Sequence, residues 1–163
     1  MDTEITKSNR ELDEAQILNK LFRYCSYQER SISDVNRQLT KYNVEGVTKE
    51  KIIKKLTEEG FLNEDRYAIS FTLGKLRSNH WGRVKIRLGL KQKSIDNQII
   101  NKALESIDQE EYFAIIDKLI TGKSNSIQDK DLYIKKHKIA RYLIGKGFEN
   151  HLVWEKLNDH FMQ

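Results

Sequence analysis

Apolar residues recur at every third or fourth position along almost the whole chain, and no proline interrupts them anywhere in 163 residues. Proline removes a backbone donor and breaks helices, so its absence, with only eight glycines, leaves long stretches favouring helix. The expected fold class is therefore all-α. Ala15, Leu18, Leu21, Phe22 and Cys25 mark a first amphipathic helix. Ser31 is placed to cap a second that carries Val35, Leu39 and Tyr42, and Thr48 to cap a third with Ile52, Ile53 and Leu56. Gly60 can end that helix in the left-handed conformation.

The set then recurs. Asn63 can cap a helix carrying Tyr67, Ala68, Phe71 and Leu76. The next has Trp81, Val84, Leu88 and Leu90, with Trp81, Val84 and Leu88 expected on one apolar face. A further helix from about Ser94 carries Ile99, Ile100, Ala103 and Leu104. Asp108 with Glu111 forms a capping-box pattern that opens a third set through Tyr112, Ile115, Ile116 and Leu119. That set crosses a polar loop expected from Gly122 to Lys130, the best candidate hinge. It resumes at Leu132, Ile139 and Leu143 and finishes with Leu152, Val153 and Leu157. Nine helices thus fall into three groups of three, spaced by roughly 45–50 residues. Units this small cannot bury their apolar faces alone, so neighbours must stack. The expected organisation is a flexible tail over 1–10 and three-helix repeats over 11–62, 63–107 and 108–163.

Charge is distributed unevenly over this scaffold. Between Arg66 and Ser94 there is no acid, yet the segment holds Arg66, Lys75, Arg77, Arg83, Lys85, Arg87, Lys91 and Lys93. Those eight cations exceed the net charge of +5, so the rest of the chain sums to −3. From Leu132 to Phe148 the theme repeats, again without an acid, in Lys135, Lys136, Lys138, Arg141 and Lys146. Two equivalent helices with cationic faces would form a positive stripe suited to a polyanion. The residues expected to contact it are Arg83, Lys85, Arg87, Lys91, Lys93, Lys135, Lys138, Arg141 and Lys146. A plainer account is a solvated face balanced by carboxylates from elsewhere. Tyr133 and Tyr142 flank the second basic run; most other aromatics occupy core phases.

Signatures of catalysis are missing. Gly145-Lys146-Gly147 lacks the spacing and hydroxyl residue of a phosphate-binding loop. His80, His137, His151 and His160 show no i, i+4 pairing, and Cys25 stands alone in the apolar phase of its helix. A single cysteine also excludes an intramolecular disulfide and suggests a reducing compartment. Glu64, Asp65, Asp108, Glu110 and Glu111 sit at expected helix N-termini, where they complement the helix dipole. No segment approaches the roughly 18 apolar residues of a membrane span. The expectation is a cytoplasmic binding protein, neither an enzyme nor a cofactor carrier.

One local string is distinctive. Leu56 to Ala68 reads Leu-Thr-Glu-Glu-Gly-Phe-Leu-Asn-Glu-Asp-Arg-Tyr-Ala. It resembles the junction between the first and second repeats of the RecX family of RecA regulators. Arg30-Ser31 followed by Leu39, Gly82 to Leu88, and Tyr142 to Phe148 resemble further family segments in the same order. Lys93-Ser94-Ile95 departs from the family's Lys-Gly-[Ile/Val]. The resemblance spans about Ala15 to Leu157 and implies an elongated, curved array of three-helix units that lies in the groove of the RecA filament on DNA. It implies an inhibitor or modulator of ATP hydrolysis and strand exchange in recombination and repair, without catalytic residues. The partners implied are the RecA filament and, more weakly through charge, single- and double-stranded DNA, with the chain a monomer. A helix-turn-helix-like DNA-binding protein acting without RecA is the alternative, since three-helix units also resemble such modules.

Overall fold

A computed structural model describes residues 12–162, so the tail expected over 1–10 lies outside the described residues. Among the described residues there are nine α-helices and no strand, as the periodicity requires. They are α1 Glu14–Tyr27, α2 Ile32–Lys41, α3 Gly46–Glu58, α4 Glu64–Asn79, α5 Arg83–Gln92, α6 Asn97–Glu105, α7 Gln109–Ser126, α8 Leu132–Gly145 and α9 Asn150–Met162. None is long and apolar enough to cross a membrane. The described residues divide into two compact units, with the boundary between Asn63 and Glu64.

In the first unit, Ser31 caps α2 through a reciprocal box: its hydroxyl accepts from the Asp34 N–H and its own N–H donates to the Asp34 carboxylate. Asp13 and Gln16 make the same exchange at α1. The core gathers Ile17, Leu21 and Cys25 with Val35, Leu39, Ile52, Leu56 and Leu62. Cys25 is buried, and that burial pushes its thiol above the ordinary range, with Arg30 only partly offsetting the shift. The residue packs as a small apolar group.

The second unit holds α4–α9 around one continuous core that includes Leu76, Ile86, Leu90, Ile100, Tyr112, Ile116, Ile139, Leu143, Phe148, Val153 and Leu157. Helix α4 packs on α5 and α6, and α7, α8 and α9 pack on one another.

One device closes the middle helix of every triplet. The Val44 N–H donates to the Leu39 carbonyl (3.0 Å), Ile95 to Leu90 (3.2 Å) and Phe148 to Leu143 (3.2 Å). Asn43, Ser94 and Gly147 precede those donors with φ of 56°, 59° and 92°. These are Schellman closures, in which a left-handed residue turns the chain and the next apolar side chain folds back onto the helix. Val44, Ile95 and Phe148 are accordingly buried. Ser94, where the family pattern has glycine, therefore keeps the glycine conformation and bears its steric cost.

Several local expectations are corrected. Helix α3 starts at Gly46, after Glu45, so Thr48 lies inside its first turn. Helix α6 is capped by Asp96, whose carboxylate accepts from the Gln98 N–H, while Ser94 closes α5. Helix α7 continues to Ser126, which fills half of the loop expected from Gly122 to Lys130. In α1 the innermost residues are Ile17, Leu21 and Cys25, and Ala15 is exposed.

Ser94 yields a direct test. Ser94→Gly relieves the left-handed strain and should stabilise the fold by about 1 kcal/mol, read as an increase in the urea midpoint at unchanged slope.

Candidate binding surface

The strongest local constraint lies where α5 begins. The Gly82 N–H donates to the Lys146 carbonyl (2.9 Å) and the Val84 N–H to the Gly147 carbonyl (3.0 Å). Two unsatisfied N–H groups at the start of α5 thereby meet carbonyls at the end of α8. The positive end of one helix dipole faces the negative end of the other. Such an approach excludes side chains: a Cβ on Gly82 would lie 2.3 Å from the Gly147 backbone, and one on Gly147 would lie 2.3 Å from the Lys85 Cβ.

Side chains reinforce this junction. Tyr112 of α7 is fully buried; its hydroxyl accepts from the Arg83 N–H (3.0 Å) and donates to the Glu149 carboxylate (2.6 Å). Burial, and then the bond to Glu149, hold this phenol far above its ordinary pKa, so it stays protonated. The Arg83 guanidinium lies 4.0 Å from the Tyr112 ring centroid and reaches Glu149 at 3.2 Å. Lys146 donates to the Asn79 carbonyl at the end of α4 (3.1 Å).

The nine cations expected to face a polyanion thus fall into different settings. Arg83 and Lys146 belong to the junction, and Lys85 lies beside them with its ammonium 4.7 Å from the Trp81 ring centroid. Arg87 donates to the Asn101 amide oxygen (2.9 Å), Lys91 is exposed, and Lys93 is the C-cap of α5. On α8, Lys138 pairs with Asp129, Lys135 is half-buried and Arg141 is exposed. Carboxylates from other elements neutralise part of the first basic run. Besides the Glu149 pair, Arg77 makes two bonds to Glu111 (2.7 and 3.0 Å), which hold that carboxyl below its ordinary range.

The expected apolar face of α5 is corrected. Ile86 and Leu90 enter the core with no exposure, whereas Val84 is 48% and Leu88 55% exposed. Trp81 precedes the helix and is partly buried. Helix α5 carries two apolar rows, 84/88 and 86/90, each at the i, i+4 spacing that buries well. Seating Gly82 against Gly147 and packing α5 on α4 and α6 together set the helix rotation that buries the second row. The outer face consequently combines Val84, Arg87, Leu88 and Lys91 at i, i+3, i+4 and i+7. An open groove of about 640 Å³ runs beside it, lined by Arg83, Val84, Arg87, Leu104, Ile107 and Glu149 among others. Sequence reasoning missed Val84 and Leu88 as surface residues. The available signal was the surplus apolar row on a short helix.

No group of three or more potential metal ligands occurs among the described residues. The molecule is of the class built from consecutive three-helix units. Residues 63–104 match the family model for the second three-helix domain of RecX, and residues 109–157 match that for the third. The chain belongs to the RecX family of regulatory proteins. It is 31% identical over 131 residues to regulatory protein RecX of Streptococcus uberis, covering 80% of this chain and 50% of that protein. With the Bacillus cytotoxicus regulatory protein RecX it shares 28% identity over 155 residues, 88% of this chain and 57% of that one. The chain spans about half the length of the curated relatives it matches. Among solved structures, a crystal structure of regulatory protein RecX aligns with a TM-score of 0.79 at 26% identity, covering 90% of this chain and 73% of the other. Lactobacillus salivarius RecX has the same fold, with a TM-score of 0.83 at 23% identity over 92% of this chain and 97% of that one.

The junction is testable by adding one methyl group. Gly82→Ala should destabilise the protein by about 2–3 kcal/mol, because only backbone opposes the new Cβ. The measurement is denaturant unfolding beside Gly74→Ala, whose Cβ would meet nothing within 4 Å.

Proposed function

We propose that this protein regulates RecA by binding the RecA–DNA filament, and that it inhibits filament ATPase activity and strand exchange. The observation that carries the reading is the pair of RecX domain matches, each falling on one helical triplet, α4–α6 and α7–α9. On this reading residues 11–62, 63–107 and 108–163 act as successive three-helix repeats that span neighbouring RecA protomers. The chain works in the cytoplasm as a monomer, without catalysis of its own. Cations of α5 and α8 meet the bound DNA or acidic filament surface, and the bridge hinders the subunit movements that accompany ATP turnover.

The outer face of α5 supports a protein contact within this scheme. Val84 and Leu88 supply apolar area, and Arg87 and Lys91 supply charge that steers association. Arg83 and Lys146 have a second duty in the junction, so their substitution would confound folding with binding.

RecA ATPase on single-stranded DNA, measured with substoichiometric amounts of this protein, tests the proposal. Turnover should fall and filament lifetime should change; an unaltered rate and lifetime would sink it. A second experiment addresses the face. Val84→Ser with Leu88→Ser, or Arg87→Glu with Lys91→Glu, should raise the concentration for half-inhibition about tenfold, with unfolding midpoints near the wild type. Full activity in both variants would remove α5 from the contact while leaving the regulator reading intact.

A further inference from the structure

A pocket of about 340 Å³ opens where the end of α4 meets the last turns of α7 and the later part of α8. His80, Lys118, Leu119, Lys123, Ser126 and Tyr142 are among its walls, and no carboxylate lines it. Lys123 holds its ammonium 4.7 Å from the Tyr142 ring centroid, and Lys146 approaches the same ring at 5.6 Å. We propose that this pocket binds the phosphate monoester group of a small molecule.

Two residues on the pocket wall are poor choices for folding. His80 follows α4 with φ of 52°, in the left-handed region, and the Trp81 N–H donates to the Lys75 carbonyl (3.1 Å). Helix α4 thus ends in the closure that glycine makes at least steric cost. An imidazole adds nothing to that turn, but it brings a ring N–H donor to the pocket. Gly122 lies within α7, where glycine weakens a helix. A Cβ there would meet nothing within 4 Å, so packing does not require the glycine. Its missing side chain leaves the pocket open beside Lys118 and Lys123. Locally unfavourable residues gathered around one cavity mark a site in preference to a solvated face.

The unpaired charge selects the ligand. Lys118 and Lys123 have no carboxylate partner among the described residues, and the nearby carboxylates are engaged elsewhere: Asp117 pairs with Lys156 and Asp129 with Lys138. Two uncompensated ammonium groups match a phosphate monoester, which carries about two negative charges and three free oxygens at neutral pH. A phosphodiester carries a single charge, so a nucleic-acid backbone fits this pocket less well. Leu119 and the edge of Tyr142 give the body of the ligand an apolar wall, and the volume lies at the lower end of the range for small-molecule sites. The inference does not rest on the RecA reading, and its test contains no RecA.

Calorimetric titration of the full chain with AMP, beside cyclic AMP and adenosine, separates a monoester from a diester and from an uncharged body. AMP should bind saturably and about tenfold tighter than cyclic AMP, with adenosine weaker still. Lys118→Ala and Lys123→Ala should each weaken AMP binding about tenfold. Lys20→Ala, which removes an exposed cation of α1, should leave it unchanged. His80→Gly separates the site from the scaffold: it should raise the urea midpoint by relieving the left-handed turn, yet weaken AMP binding several-fold. Gly122→Leu should block AMP without lowering that midpoint. Absence of saturable AMP binding, equal affinity for cyclic AMP, an equal loss in Lys20→Ala, or full affinity in His80→Gly would each overturn the proposal.

Discussion

The first turn of α5 lies directly on the last turn of α8, backbone against backbone, and most of the second unit's surface follows from that contact. Two N–H groups of one helix end are satisfied by two carbonyls of another, at positions where any side chain would collide with main chain. A contact of this kind has little freedom to slide. It fixes where α5 starts and, together with the packing of α5 on α4 and α6, how α5 is rotated and which of its two apolar rows is buried. Tyr112 and Glu149 complete it from α7 and from the start of α9, bringing three elements to one point.

The cations divide as a consequence. Arg83 and Lys146 hold elements together, through a half-buried ion pair and a carbonyl contact respectively. Lys91 and Arg141 extend into solvent with no such duty. Positive charge along the sequence is thus not equivalent to positive charge available to a partner. The acid-free run is partly offset by Glu111 and Glu149, which come from distant sequence. What remains on α5 is a mixed face of apolar and cationic groups, and beside α8 a pocket with lysines around the Tyr142 ring. The two differ in chemistry despite their similar charge in the sequence.

Equivalence between triplets lies in their turns more than in their side-chain patterns. Asn43, Ser94 and Gly147 differ in residue type but share one backbone conformation and one hydrogen bond after the middle helix. Asn and Ser pay a steric penalty there that Gly avoids, so the shared geometry is imposed by the buried Val44, Ile95 and Phe148 that follow. That is why a glycine-based motif could be met by a serine without loss of the fold.

Helical class, most core residues, the caps at Ser31 and Asp108, and the family were legible in the sequence, because apolar period and capping are local. Cys25 as a buried thiol was legible for the same reason. The exposure of Val84 and Leu88 was not, since rows 84/88 and 86/90 satisfy the same spacing and only the packing of α5 on α4, on α6 and against the end of α8 chooses between them. Nor were the partners of Arg83, Arg77 and Lys146, which lie 29 to 67 residues away. The sequence by itself determined where helices form and where charge accumulates, because both depend on neighbours within a few positions. Tertiary structure alone decided which apolar row is hidden and which cations remain for a partner, because burial and ion pairing depend on what the fold brings alongside.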